Sequence, residues 1–477
     1  MGWQFMQANL IAAESAFDQY YDLSSKDGRT LKAKIEQFEE TGVNIILANK
    51  SRFKVPYTSF NKETQDKLHR LWAEELNNAL AINIFPLDGR NITDMPASEW
   101  AELAKIRKES ETSYDSSYRN YFKDKKALNS AVYTISAHAK NLDKEHRIKH
   151  ISIVFANKGD SIKSIETSPE MLQSVYDDLQ KEALKELNEK IEQASGIIEQ
   201  QLQSWFGNPI RFEQGYGSQK ERMDRWDSKG YSFLLKIKKN ELVSLKIMST
   251  SDLEKETNNK QQVKINPEDL KSRIVTNDFG DVVLSDMPMV NQGPKGYCFP
   301  ATCERLMRYL GIEADMYAWA MAGKTDVGGG THDEDIIIKV SNYLVQKSNN
   351  RLRKLNLKKL ELEDVTQWID QGVPILWLMY SSDIYNSIAK ERTKMREGKD
   401  AEAWASQIAQ EAKENTKKLE GNRENGHICM IIGYNKNTNE VAVTDSWGES
   451  FALRWVHVDE ARATTWYDGA AYVAFPE

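Results

Sequence analysis

Alternating apolar and polar residues predict a small β module near the start of the chain. Residues 24–72 contain two candidate strands, with breaks at Gly42 and at residues 49–51, and a polar helix follows from about Asn61. This pattern is typical of a short antiparallel sheet closed by a helix. We therefore predict a first domain over residues 1–75.

The following segment is polar and mixed. Residues 76–145 contain helical patches in "ASEWAELAKIRKESE" and in "SYRNYFKDKKALNSAVYTISAHAKNL". These patches predict a helical connector.

The pattern then changes to that of a helix lying on a sheet. "IKHISIVFA" is an apolar strand, and a long amphipathic helix follows, with Ser168 as its N-cap, Pro169 in its first turn and Gly207 at its end. "PIRFEQG", "MDRWDSKGYSFLLKIKKN" and "ELVSLKIMS" then read as a meander of strands. One helix on an antiparallel sheet is the packing that these elements favour. Residues 146–252 are thus predicted as an α+β domain, and the polar residues 253–274 as a linker.

Composition sets broad limits on the class of protein. The chain has 477 residues, of which 40% are hydrophobic and 28% charged, so several globular domains are expected. A net charge of -7 argues against a nucleic-acid partner. No apolar run approaches the roughly 18 residues that span a bilayer. The N-terminus as written does not read as a signal peptide, yet its methionine is compatible with a processed chain, so the compartment stays open.

Residues 275–477 differ from the rest, because glycine, tryptophan and all three cysteines cluster there. The cysteines are Cys298, Cys303 and Cys429, an odd number without a C-x-x-C pair. Neither a disulfide scaffold nor a zinc knuckle is supported, and no metal or cofactor is expected. One reactive thiol with two buried companions fits this pattern better.

Cys298 lies where a helix is predicted to begin. "GYCFPATCERLMRYLG" favours a helix from about Cys298 to Leu310, with Pro300 in the first turn, where a missing N–H costs nothing. The free amides and the dipole of a helix N-terminus lower the pKa of a thiol and favour the nucleophilic thiolate. Cys303 points to the buried side of the same helix. Only Cys298 is therefore placed to react.

A thiol nucleophile needs a base, and His427 is the best placed of the seven histidines. It begins an apolar strand over residues 428–434, which the turn "NKNTN" joins to a second strand, "EVAVTDSWG". In that hairpin Asp445 returns close to His427 and can hold the tautomer of its imidazole. Gln292, shortly before Cys298, offers a side-chain amide that could bind an oxyanion together with the Cys298 backbone N–H.

The stretches "NQGPKGYCFPATCERL", "GHICMIIGY" and "TDSWG" together resemble the papain-like cysteine peptidase superfamily, in particular its C39-like bacterial branch. The separations of His427 and Asp445 from Cys298 lie close to the roughly 130–150 residues of that fold. The resemblance covers residues 275–477. It implies a papain-like fold, with the cysteine on a helical half and the histidine and aspartate on an antiparallel β half.

The resemblance also implies roles for individual side chains. It makes Cys298 the nucleophile, His427 the general base and acid, Asp445 the residue that orients it and Gln292 the oxyanion donor. Trp447 matches the tryptophan that shields the histidine–carboxylate contact from water. Asp445 departs from the papain type, which has Asn there, whereas the C39-like branch tolerates Asp.

Substrate contacts are expected from two places in this domain. The loop "AGKTDVGGGTHDED" supplies Gly329, Gly330 and Thr331, and Trp447 joins them beside the histidine. The charged helical insertion at residues 381–425 is predicted to form a lid or a flank of the cleft.

The first domain carries a separate resemblance. "DGRTLKAKI", "VNIILANKSRFKVPYTSF" and the glutamine that follows resemble the SLA1 homology domain 1 type, a small SH3-like barrel. This resemblance implies a binding or spacer module. It also favours export, because such modules often occur in secreted multidomain bacterial proteins.

These observations favour a cysteine peptidase that hydrolyses a peptide or isopeptide amide of a peptide or protein substrate through an acyl-enzyme. An acyl transferase or a catalytically silent peptide-binding module on the same fold is the alternative. A third hypothesis makes residues 1–274 a propeptide that covers the cleft.

Overall fold

The computed structural model describes residues 15–142, 145–163, 165, 171–214, 221–258, 262–327, 330–331 and 333–476. Within these ranges the strands form one four-stranded and two eight-stranded sheets, which we call the N-terminal, middle and C-terminal sheets. Helices pack against these sheets, so the predicted α+β multidomain organisation is confirmed. None of the helices described is long and apolar enough to cross a membrane.

The N-terminal sheet is an antiparallel meander in sequence order. Helix α1, Lys62–Leu80, begins where the side chain of Asn61 accepts a hydrogen bond from the backbone N–H of Thr64, as an N-cap residue does. The helix therefore begins where the sequence predicted. The sheet, however, has four strands, and the sequence predicted two. Its strands are β1 Tyr20–Ser24, β2 Thr30–Phe38, β3 Gly42–Leu47 and β4 Arg52–Pro56.

The middle sheet is antiparallel, and two helices accompany it, α2 Ala97–Ala104 and α3 Gln173–Phe206. Helix α3 buries an apolar stripe that includes Leu187, Ile198 and Leu202 in the core beneath the sheet, as the sequence predicted for this region. In chain order the strands of the middle sheet are β5 Lys108–Glu111, β6 Asp115–Ala127, β7 Ser130–Leu142, β8 Glu145–Asn157, β9 Ile210–Gln214, β10 Glu221–Ser228, β11 Tyr231–Lys238 and β12 Leu242–Ser249. Within the sheet, neighbouring strands follow the order β5-β6-β7-β8-β12-β11-β10-β9.

The predicted helical connector at residues 76–145 is wrong for most of its length, because β5, β6 and β7 lie there. Strands β6 and β7 pair around Leu128 and Asn129, whose φ values of 50° and 58° are those of a tight hairpin turn. Without a glycine, this turn gave no signal in the sequence. The β-branched and aromatic residues from Val132 to Ile135 then fit the pleated surface of the sheet.

The boundaries of the middle domain agree with expectation only in part. Gly207, at φ 82°, ends helix α3 as predicted, while the predicted N-cap at Ser168 and Pro169 lies outside the described residues. Residues 253–274, predicted to be a linker, are partly helical. They include most of α4, Thr250–Asn258, and α5, Pro267–Lys271, because Asn266 caps α5 by accepting a hydrogen bond from the Glu268 amide.

The strands of the C-terminal sheet are β13 Ile274–Thr276, β14 Asp281–Leu284, β15 Asn350–Asn356, β16 Ile375–Tyr380, β17 Gly426–Asn435, β18 Glu440–Thr444, β19 Arg454–His457 and β20 Ala470–Pro476. Neighbouring strands follow the order β13-β14-β17-β16-β20-β15, and β18 pairs with β17 and β19 with β18. Its helices are α6 Cys298–Tyr309, α7 Met316–Ala322, α8 Asp333–Ser348, α9 Leu362–Ile369, α10 Asp383–Met395, α11 Ala401–Glu420 and α12 Val458–Thr464. Helix α6 packs directly on β17. A helix that begins with Cys298 therefore lies on the strand that carries His427.

The insertion at residues 381–425 folds as α10 and α11 against the C-terminal sheet. Buried ion pairs fix it there, from Arg392 to Glu460 and from Arg396 to Asp281 and Glu440. Because removing one partner of a buried pair is costly, these two helices are fixed to the rest of the domain. Their role as a lid or a flank of the cleft stays a prediction.

The loop that leads into α6 is held by the middle sheet. Lys295, whose side chain is 0% exposed, forms an ion pair with Asp160 at 3.0 Å, and its ammonium lies 4.3 Å from the ring centre of Tyr121. Burial lowers the pKa of Lys295 to about 8, although the Asp160 charge opposes this shift. The hydroxyl of Tyr121 also donates to the backbone oxygen of Asn291. The upstream sheet therefore forms part of the support for the Cys298 loop.

We predict that Asp160→Ala will destabilise the protein by about 3 kcal/mol, because it leaves the Lys295 ammonium buried without its carboxylate partner. Chemical denaturation of the full chain measures this loss. The control is Asp178→Ala, which removes an exposed pair with Lys181 and should leave the free energy of unfolding almost unchanged. Equal effects of the two substitutions would contradict the supporting role of the buried pair between Lys295 and Asp160.

Candidate active site

Cys298 is the first residue of helix α6, and Tyr297 precedes it in a non-helical conformation. Pro300 lies in the first turn, as predicted. The helix buries Cys303, Leu306 and Met307 in the core of the C-terminal domain, which fixes the position of its first turn. Of the three cysteines, Cys303 and Cys429 are buried, and Cys298 is partly exposed.

His427 and Asp445 are brought together by the β17–β18 hairpin. The register pairs Met430 with Thr444, so that Asp445 returns to the end of β17 where His427 lies. The Nε2 atom of His427 is 2.7 Å from Oδ1 of Asp445, and the side chains are 5% and 0% exposed. This bond leaves the other ring nitrogen, Nδ1, for the thiol side of the ring.

The thiol and the imidazole shift each other's pKa. Burial raises the pKa of Cys298, but the hydrogen bond to His427, the charge of that ring and backbone hydrogen bonds from Ile428 and Phe299 lower it below its ordinary value. Burial lowers the pKa of His427, and the hydrogen bonds to Asp445 and Cys298, with their charges, raise it to about 9. Both shifts are in the direction that favours a thiolate–imidazolium pair. For Cys303 and Cys429, burial raises the pKa of the thiol.

A further buried charge, which the sequence analysis missed, contacts the same carboxylate. Arg454, on β19, donates from Nη2 to Oδ2 of Asp445 and from Nη1 to Oδ1 of Asn386 at 2.8 Å. Burial raises the pKa of Asp445, but hydrogen bonds and the charges of His427 and Arg454 outweigh it and hold the pKa below its ordinary value. The signal that could have identified Arg454 is a lone charge at the start of the apolar strand "RWVHV".

Trp447 lies against the imidazole. Its ring stacks on His427 with centres 4.4 Å apart and planes 25° apart, and the ring of Phe451 packs edge-on against the tryptophan at 5.2 Å. A half-buried indole over the histidine limits the access of water to the bond between His427 and Asp445.

Gln292 connects the cysteine loop with the strand of the aspartate. Its side-chain Nε2 donates to the backbone oxygen of Lys295 at 2.8 Å, and its backbone N–H donates to the oxygen of Ser446 at 2.8 Å. Its Oε1 is buried and has no hydrogen-bond partner among the described residues. The side-chain amide of Gln292 is thus held on Lys295, three residues before Cys298, and its backbone on Ser446, the residue after Asp445.

The predicted substrate loop is brought to the site in part. Gly330 donates its backbone N–H to the oxygen of Gly296 at 3.3 Å, two residues before Cys298. Thr331 turns into its own loop and shares a hydrogen bond of 2.8 Å with the hydroxyl of Thr325. Gly329 lies outside the described residues.

Other features of the molecule lie away from this site. Over the ranges that the structure describes, no group of His, Cys, Asp and Glu is arranged to hold a metal ion. A cavity of about 610 Å³ lies between β2 and the C-terminal end of α3, lined by residues that include Lys34 and Trp205. It does not include any of the predicted site residues.

We predict that iodoacetamide will label Cys298 at pH 7 while Cys303 and Cys429 stay unreacted, because burial raises the pKa of both other thiols. In His427→Ala, burial remains the largest influence on Cys298, so its pKa rises and its labelling rate at pH 7 falls at least about 10-fold, one pKa unit corresponding to a tenfold change. Mass spectrometry of the labelled peptides gives the rates over a pH series. His69→Ala, a substitution on helix α1, is the control, and equal rates in all three proteins would count against the ion pair.

Comparison with known proteins agrees with this geometry in the C-terminal domain. Residues 284–473 match the family model described as the Peptidase_C39 like family. The matched range includes Gln292, Cys298, His427, Asp445 and Arg454. No curated protein matches the chain significantly. The C-terminal domain is therefore similar to the C39-like family, whose fold is of the cysteine peptidase type.

Proposed function

We propose that this chain is a cysteine peptidase that hydrolyses a peptide or isopeptide amide. The observation that carries the proposal is the buried contact of Asp445 with His427, next to a thiol of lowered pKa at a helix N-terminus. A nucleophile, a base within hydrogen-bond reach and a third group that orients the base are the parts that covalent amide cleavage needs. The similarity of residues 284–473 to a peptidase family supports the same reading.

In the proposed reaction the thiolate of Cys298 attacks the carbonyl carbon, and a C–S bond forms. The oxyanion is stabilised by the Cys298 backbone N–H at the start of α6 and by the side-chain amide of Gln292. The imidazolium of His427 then gives its proton to the departing amine as the C–N bond breaks. In the second half His427 takes a proton from water, the hydroxide oxygen attacks the thioester, and the carboxylic acid and the thiolate are released.

Substrate binding is proposed at the two edges of this centre. Gly329, Gly330 and Thr331 would form one edge, and the Gly330 contact with the cysteine loop supports this placement. Trp447 would form the other, where it covers the imidazole. Glycine at this edge allows close approach of a substrate backbone.

We further propose that the upstream domains are a permanent support and not a removable propeptide. The pair between Lys295 and Asp160, and the Tyr121 hydrogen bond to Asn291, place residues of the middle sheet under the loop that carries Gln292. Loss of that sheet would expose a buried lysine and release the loop. For residues 24–72, the SLA1 homology domain 1 identity stays a prediction, with which the antiparallel strands β1 to β4 are compatible.

The test is a cleavage profile of the full chain on a peptide library, read by mass spectrometry. We expect free acid and free amine products from the wild type, and a loss of at least about 10³-fold in Cys298→Ala, since removal of a nucleophile is among the most severe changes to such a site. Cys303→Ala is the matched control and should keep most of the activity.

Other outcomes of this experiment would replace the proposal. Products formed only when an amine is added would indicate an acyl transferase. Peptides retained without cleavage, equally by wild type and Cys298→Ala, would indicate a binding module. Shortening of the wild-type chain itself, absent in Cys298→Ala, would indicate that the upstream part is removed.

A further inference from the structure

The carboxylate of Asp445 is shared between two donors on opposite sides. Its Oδ1 faces Nε2 of His427 at 2.7 Å, and its Oδ2 accepts from Nη2 of Arg454. The Asp445 side chain is 0% exposed and that of Arg454 is 2% exposed. Water therefore cannot replace either partner without opening the core.

Arg454 is itself held in one orientation. Its Nη1 donates to Oδ1 of Asn386 at 2.8 Å, and its guanidinium lies 4.9 Å from the ring centre of Phe451. Asn386 belongs to α10, in the charged insertion, and its Nδ2 is in turn bound to the hydroxyl of Ser381 at 3.1 Å. The insertion thus reaches the site through a hydrogen-bonded line from Asn386 to Arg454 to Asp445.

The charges of the four groups balance. A thiolate at Cys298 and a carboxylate at Asp445 face an imidazolium at His427 and the guanidinium of Arg454. Buried charges are tolerated when they are paired and hydrogen-bonded. Arg454 therefore gives the buried Asp445 carboxylate a second cationic partner besides His427, and the charge of the buried Arg305 acts on the same carboxylate.

We propose that Arg454 is a positioning residue that requires a carboxylate at position 445. Two donors face this side chain, the His427 N–H and the Arg454 guanidinium. An asparagine has only one oxygen that can accept, so its NH2 group would face one of these two donors without forming a hydrogen bond. An aspartate satisfies both, because each of its oxygens accepts. The inference rests on the proposed function for its effect on catalysis, but not for its effect on the thiol.

The test is a double-mutant cycle between Asp445→Asn and Arg454→Met. Asp445→Asn alone should lower kcat/KM, and the rate of Cys298 alkylation at pH 7, by at least about 10²-fold, since the misplaced amide disturbs the histidine tautomer. In the Arg454→Met background the same substitution should cost less than about 10-fold, because the opposing donor is gone. The cycle isolates this pairwise coupling.

Three further variants make the cycle specific. Arg454→Lys keeps a cationic donor, so Asp445→Asn should remain severe in that background. Arg454→Gln is a second neutral variant, and its amide oxygen can accept from the amide nitrogen that Asp445→Asn introduces. It should therefore lower the cost of Asp445→Asn, and it serves as the test if Arg454→Met folds poorly. Arg392→Met removes another buried guanidinium, paired with Glu460, and should leave the cost of Asp445→Asn unchanged.

The result that would overturn the inference is additivity, with the same cost of Asp445→Asn in the wild-type, Arg454→Met and Arg454→Gln backgrounds. Alkylation of Cys298 reports on the triad without any substrate. Loss of the coupling in alkylation therefore rejects the role of Arg454, whereas intact coupling in a protein that cleaves no peptide rejects only the proposed function.

Discussion

The hydrogen bond between the buried Asp445 carboxylate and His427 is the interaction on which the rest of the site depends. It fixes the imidazole with Nε2 toward the carboxylate, and so determines which nitrogen faces Cys298. Burial is the largest influence on the ring and lowers its pKa, but this hydrogen bond, the one to Cys298 and the charges of both groups together outweigh it and raise the pKa to about 9. The β17–β18 hairpin supplies both residues, and helix α6 brings the thiol to them by packing on β17.

Charges buried behind this bond tie the site to distant parts of the chain. Arg454 connects it to α10 through Asn386, so the insertion contributes to the support of the centre. On the opposite side, Lys295 anchors the cysteine loop to Asp160 of the middle domain. Because both contacts are buried and charged, small displacements at either end are costly. The site is thus assembled from three regions of the sequence.

The sequence could predict the parts of the site that carry local signals. Cys298 precedes a proline in the first turn of an amphipathic helix, and His427 begins an apolar strand whose partner ends at Asp445. The supporting contacts had no such signal, since Lys295 meets Asp160 and Tyr121 only through the tertiary fold. A lone lysine in a loop reads as solvated until the opposing surface is known.

The same limit applied to the fold. The strands β6 and β7 were missed because their turn at Leu128 and Asn129 lacks glycine, and because the lysines and alanines around it favour helix in isolation. Pairing with β8 decides the conformation there, and pairing is not a local property. The helix on the middle sheet, in contrast, was foreseen from its own apolar period and from Gly207 at its end.

The most direct test of the central claim is a titration of the His427 ring by nuclear magnetic resonance, assigned with His427→Ala. In the wild type we expect a ring that stays protonated through neutral pH, with a pKa of about 9. In Cys298→Ala this pKa should fall, because the hydrogen bond and the charge of the thiolate that raise it are gone. A wild-type ring that titrates at or below its ordinary pKa of about 6.5, and does not change in Cys298→Ala, would contradict the account.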